Sequence, residues 1–241
     1  MNNPHGRSRL ITWSGGLGLL CLLLMPLGVA LVRWGLPFFI GLGLFSLASL
    51  ACLILTALLA LLYLLPRYRN HRLSILINVI PSLPATGLIL FILGTSLQYP
   101  PIHDITTNTD NPPLFDVAPM VRGKYANSLD IKPESIALQL EAYPDIKSIE
   151  TNLPEELAFG RAERVAESLG WIVYNTDPMN RVIEASFTSD WFGFVDDIVI
   201  RTRPIEGGTA IDLRSVSRVG RSDLGANAMR IRAFIKRFNR Y

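Results

Sequence analysis

The first 98 residues of this 241-residue chain contain no Asp, no Glu and no Lys. Their only charges are six arginines: Arg7, Arg9, Arg33, Arg67, Arg69 and Arg72. Soluble domains wear Lys, Glu and Asp on their surfaces, so this absence excludes a one-piece soluble enzyme. Cysteine is scarce as well. Cys21 and Cys52 both sit in apolar runs, which leaves the rest of the chain without a disulfide or a thiolate metal centre. There is no Gly-rich phosphate loop, no Ser nucleophile elbow and no His cluster, so no cofactor and no metal are expected. The other 241 − 98 = 143 residues hold 23 − 6 = 17 basic and 20 acidic side chains. The overall +3 is therefore a +6 apolar half added to a −3 polar half. A basic pI of that origin is no argument for nucleic acid, and no nucleic-acid partner is expected.

What the first half has is hydrocarbon. Three apolar stretches run over residues 10–32, 36–65 and 73–97. About 20 apolar residues suffice to cross a bilayer as a helix, and a helix satisfies its own backbone hydrogen bonds there. The first run is too long for a usual signal core and lacks a small-x-small cleavage site before Arg33, so it reads as a retained span. Five arginines flank one side of the spans and Arg33 alone the other. Positive residues stay inside, which predicts a cytoplasmic N-terminus and a polar half delivered outside. No ionisable group lies within a span, so an anchor is a simpler reading than a transport path. Pro81 and Pro84 predict a kink in the third span. Small residues (Gly15, Gly18, Gly41, Gly43, Ser49 among them) suit close helix packing.

The polar half, residues 99–241, opens with a Pro-, Asn- and Asp-rich segment of no clear period, read as an extended arm with turns. Helical spacing of Leu157, Ala158, Ala162, Val165, Ala166 and Leu169 then predicts a helix closed by Gly170. Four β-type runs follow at 171–176, 181–188, 197–203 and 209–218, separated by turn formers. A last helix begins near Ser222 or Asp223, with Leu224, Ala228, Ile231, Ile235 and Phe238 as its stripe. Short loops between strands imply an antiparallel meander whose face the helices cover. The expected fold is thus an α-helical membrane region of three spans plus an α+β domain with a four-stranded antiparallel sheet packed with helices.

Several strings now stand together: PPIHDITTNTDNPP at 100–113, AYPDI at 142–146, GWIV at 170–173, FTSDWFGFVDDIVIR at 187–201 and DLRSVSRVGRSDLGANAMRIRAF at 212–234. They resemble the bacterial domain family DUF1499. The resemblance covers most of residues 100–240. It implies a domain that occurs behind membrane spans or in exported and lipid-anchored forms. It brings no assigned activity and no catalytic residue.

Three constellations carry chemistry. Arg214, Arg218 and Arg221 lead into Ser222 and Asp223 at a helix start, where free N–H groups and Arg forks suit an anion. Strand alternation puts Arg214 and Arg218 on one face with Asp212 and Val216. The acids Asp104, Asp110, Asp190, Asp196 and Asp197 are numerous enough to pair with these arginines internally, the plainer reading. His103, Asp104 and Asp110 could make a metal site or an acid–base pair, although adjacent residues of an extended chain point apart. No second His or Cys supports a metal, and Asp110-Asn111-Pro112-Pro113 is a good turn former, the plainer structural reading. Trp191, Phe192 and Phe194 suit a pocket wall, a membrane-facing tip or a core plug.

The expectation is an inner-membrane protein whose envelope-facing domain binds a lipid, an anionic ligand or an envelope protein. A membrane-tethered hydrolase using His103 and the nearby Asp residues, and a structural subunit of a membrane complex, stand as alternatives.

Overall fold

The computed structural model describes residues 4–240, with side chains from residue 9 onward. Met1–Asn3, Tyr241 and the Arg7 side chain, which the sequence-based ranges include, lie outside the described residues. Packing divides the chain into two units: residues 1–97 with Trp191–Gly193, and residues 98–190 with 194–241.

The first unit is helical. Helix α1 spans Pro4–Arg33 and α2 spans Phe38–Leu64. A 3-10 segment, Pro66–His71, then leads to α3 (Arg72–Val79), a second 3-10 turn at Ile80–Ser82, and α4 (Leu83–Ser96). Three helical stretches, Arg9–Arg33, Phe38–Leu64 and Pro66–Ser96, are long and apolar enough to cross a membrane. The third is broken at Ile80–Ser82, where Pro81 removes a backbone donor. Glycines set the approach of α1 to α2. A Cβ on Gly28 would strike the Gly41 carbonyl, and one on Gly41 would strike the Gly28 carbonyl. Gly15 sits against Asn78 and Gly18 against Leu55 and Ser82, whereas Gly16 and Gly43 face open space. The hydroxyl of Thr56 meets those of Ser82 at 2.8 Å and Thr86 at 2.9 Å. Such bonds join helices where no water competes.

The second unit is a sheet with helices. Its elements are β1 (Asp104–Thr106), α5 (Ala118–Val121), α6 (Pro133–Ala142), β2 (Ile149–Thr151), α7 (Glu155–Ser168), β3 (Ile172–Asp177), β4 (Val182–Thr188), β5 (Val195–Ile205), β6 (Gly208–Ser217) and α8 (Ala226–Phe238). The sheet has six antiparallel strands, where four were expected. The order is β1-β6-β5-β4-β3, and β2 also pairs with β6. Strand β1 comes from the segment read as an extended arm, and β2 from residues for which the sequence predicts no element. Each is three residues long, too short to show a period of two, and each exists by pairing with β6, β1 at Arg214–Val216 and β2 at Thr209–Ile211. The long arm is therefore structured in part. It contributes β1 and the single turn α5, and the ten-residue helix α6 follows it.

The β5–β6 hairpin turns at Glu206-Gly207, with Gly207 at φ +79, a conformation glycine adopts without strain. Ile183, Ala185, Ile198, Ile200, Ile211 and Leu213 project from one sheet face and are buried against α7 and α8. Trp171 stacks on Phe234 at 5.4 Å, and Phe234 on Phe238 at 6.1 Å. Burying this face leaves the opposite one for the polar residues of the same strands.

Candidate functional site

Alternation along β4, β5 and β6 places Glu184, Asp197, Arg201, Arg203, Asp212 and Arg214 on the face away from α7 and α8. These side chains meet one another. Arg201 and Asp212 are directly opposed in the ladder, and Arg201 Nη2 donates to Asp212 at 2.7 Å. Arg203 Nε reaches the same carboxylate at 3.0 Å, Ser148 donates its hydroxyl, and Asn108 adds a bond at 3.3 Å. Burial on its own would raise the Asp212 carboxyl. The donors Ser148, Arg201 and Arg203 outweigh it and hold the group below the ordinary carboxylate range.

Asp197, fully buried, accepts from Arg218 Nε at 2.9 Å and Nη2 at 2.7 Å, and from Arg122 at 2.9 Å. Arg218 is held above its usual value, chiefly by this bond. Arg122 is lowered by burial, against the pull of Asp197. Arg214, only 1% exposed, grips Asp104 through Nε at 3.0 Å and Nη2 at 2.6 Å. The Tyr174 hydroxyl lies 3.5 Å from Glu184 and 3.4 Å from Asp197. Burial first, then these two carboxylates, push the phenol well above its ordinary value.

The arm lies over this face, and the charged groups supply its backbone partners. Glu184 accepts the N–H groups of Asp116, Val117 and Ala118 at 2.8–3.0 Å. Arg214 donates to the carbonyls of Leu129 and Pro113, Arg201 to that of Asn111, and Arg122 to that of Asn127. An irregular segment has no ladder for its polar groups, and buried polar groups must find partners. Here they find side chains. The cavity beside Asp104 and Arg214, bounded by Thr106, Pro112, Lys132 and Gln139 among others, has a volume of about 10 Å³, room for about one water.

The residues singled out in the sequence separate accordingly. Arg214, Arg218 and Asp104 join the ion-pair face. His103 is half-buried, and its Nδ1 lies 3.4 Å from the Arg221 carbonyl. Asp110 and Arg221 are exposed. Ser222 donates to the Pro100 carbonyl at 3.3 Å. Asp223 accepts the N–H groups of Gly225 and Asn227, each at 2.8 Å, so donors at the start of α8 are already engaged. Its carboxyl is raised by burial, which these bonds oppose. Trp191 packs within the helical unit: its ring stands edge-on to Phe45 at 5.4 Å, beside Phe192 at 5.1 Å.

Arg122, Tyr174, Glu184 and Asp212 were not marked as candidates. For Asp212 the signal was present as charges of both signs on one face of β5 and β6 (Asp197, Arg201, Arg203, Asp212 and Arg214), interrupted by Val199 and Val216. A solvent-facing strand shows that pattern too, and the covering arm has no period to reveal it.

A comparison with curated proteins finds no match. A family model described as "Protein of unknown function (DUF1499)" matches residues 104–238, which takes in the sheet, its charged face, the arm and both covering helices. By that match over more than half its length, the chain belongs to the DUF1499 family.

Proposed function

We propose that the chain is a multi-pass inner-membrane protein, N-terminus in the cytoplasm and sheet domain on the periplasmic side, that acts by binding a lipid, an anionic ligand or an envelope protein. Three helices of spanning length and the five-to-one arginine asymmetry around them support the placement. The observation that carries binding over turnover is the state of the carboxylates. Asp104 is engaged by Arg214, and Asp197 by Arg122 and Arg218. A general base needs a free lone pair within reach of a substrate proton. Both oxygens of each are bonded to guanidiniums, beside a cavity of water size, and Asp110 is exposed outside this network. The hydrolase alternative draws no support from His103, whose ring faces a backbone carbonyl. The charged face acts instead as an internal fastening that fixes the arm and presents a rigid outer surface.

The full chain, purified in mild detergent, is analysed by mass spectrometry for molecules that remain bound. A stoichiometric lipid, ligand or protein is the expected result, and the bare chain alone would contradict the binding reading. Reporter fusions at both ends check the placement. Export activity at the C-terminus and none at the N-terminus is expected; the reverse pattern would overturn it.

A further inference from the structure

The arginines of the charged face each hold an aspartate, and on α8 so do Arg230 with Asp196 and Arg232 with Asp145. The last turn of α8 and the residues just after it depart from this. Lys236, Arg237 and Arg240 are exposed, and among the described residues no carboxylate is paired with any of them. With Leu169 and Ala233 they line an open groove of about 630 Å³. Its walls combine two apolar side chains with three cations, and among the described residues no acid lines it.

Helix polarity accounts for part of this charge. The groove sits where α7 and α8 both end, and cations suit helix C-termini. Each terminus carries about half a negative unit, so two offset about one of the three positive charges. A surplus of roughly two remains, in a domain that is otherwise net acidic and pairs seven of its thirteen arginines with aspartates.

We propose that this groove binds a phosphate group, carried by the headgroup of an anionic phospholipid or by a soluble phosphate ester. Guanidinium forks match two phosphate oxygens at once, and a lysine adds a mobile point charge. Leu169 and Ala233 offer apolar contact to the glycerol or acyl part beside the phosphate. The proposal rests on the reading of the chain as a binding protein and names a site for it.

The test uses the full chain in dodecyl maltoside and its K236Q/R237Q/R240Q variant, compared by native mass spectrometry. Both are titrated with dioleoylphosphatidylglycerol, dioleoylphosphatidylcholine and glycerol 3-phosphate. The substituted side chains are exposed, and equal melting curves confirm that the variant folds. Each cation near an anionic surface raises partitioning about five-fold, so the variant is expected to lose phosphatidylglycerol affinity by at least roughly ten-fold while phosphatidylcholine binding is unchanged. Glycerol 3-phosphate that binds the wild type and not the variant identifies a soluble ester as the source. Loss for phosphatidylglycerol alone identifies the headgroup. Equal uptake of both phosphates by the two proteins overturns the groove. If a different molecule still accompanies the purified wild type in that case, the binding reading stands and only the groove falls.

Discussion

Arg214 of β6 clasps Asp104 of β1 through two nitrogens, at 3.0 and 2.6 Å, across 110 residues of sequence. The pair sits one diagonal step apart in the ladder, since Asp104 is registered with Val216 and Thr106 with Arg214. Strand β1 has only three residues of its own. It is held by this ion pair on one side chain and by Gln139 on its backbone, which accepts from Thr106 N at 2.9 Å and donates to Thr106 O at 2.6 Å. The beginning and the end of the domain are thus joined through charge and amide chemistry.

Glu184 ties down the turn of the arm at Asp116–Ala118. Hydrogen bonds to a charged group contribute about 1.5–3 kcal/mol each, and Glu184 accepts three from the backbone. Glu184→Ala is expected to cost about 4–5 kcal/mol, the low end of that three-bond range, and to loosen the arm locally. Lys124 is exposed within that segment. Limited trypsin digestion of the variant is expected to cut after Lys124 roughly ten-fold faster than in the wild type. An unchanged rate would show that the arm does not depend on this carboxylate.

Acid stability follows from Asp212. Its folded pKa is depressed, so its contribution is present above the unfolded value of about 4 and is lost as pH falls through the folded value. Asp223 has the opposite sign: its raised carboxyl binds a proton more tightly when folded, which favours folding as pH drops towards about 4. Melting temperatures measured from pH 6 to pH 2 are expected to fall mainly below about 4. Asp212→Asn is expected to melt lower at pH 6 and to show a shallower acid limb. A variant limb as steep as the wild type's would assign the acid loss to other groups.

Helix packing in the first unit is tested by two glycines on one helix. Gly41 faces the Gly28 carbonyl and the Val32 side chain, and Gly43 meets nothing within 4 Å. Gly41→Ala forces the backbones of α1 and α2 apart, an overpacking cost of about 1–3 kcal/mol. Gly43→Ala adds a methyl to open space. Melting in detergent is expected to drop for the first and to hold for the second; equal effects would contradict the assigned contact.

The contrast between α7 and α6 shows what the sequence reveals and what it hides. In α7 the buried residues are Ala158, Phe159, Ala162, Val165 and Ala166, an apolar stripe of helical period that is readable on sight. In α6 the one fully buried residue is Gln139, while Leu138 and Leu140 are exposed. That inversion follows from β1, whose backbone needs an amide partner, and no local pattern announces it. The strands β3 to β6 were legible by their alternation and their turns. Strands β1 and β2 were not, because three residues carry no period. The charged face was half legible for the same reason: the arginines and aspartates alternate correctly, but whether such a face meets water or an arm depends on chain 70 to 110 residues away. The basic groove at the end of α8 was visible only as a crowd of cations suited to a helix terminus.

The central claim is that the charged face of the sheet fastens the fold by mutual pairing. A double-mutant cycle on Arg214→Met and Asp104→Leu, read as unfolding free energy of the full chain, measures it most directly. Removing one partner of a buried pair leaves a stranded charge and costs about 3–5 kcal/mol; removing both relieves that cost. The predicted result is a double variant more stable than the sum of the singles implies, with a coupling of at least about 2 kcal/mol. Additive losses, with coupling near zero, would show that the two residues act separately and would return Asp104 to the list of groups free for chemistry.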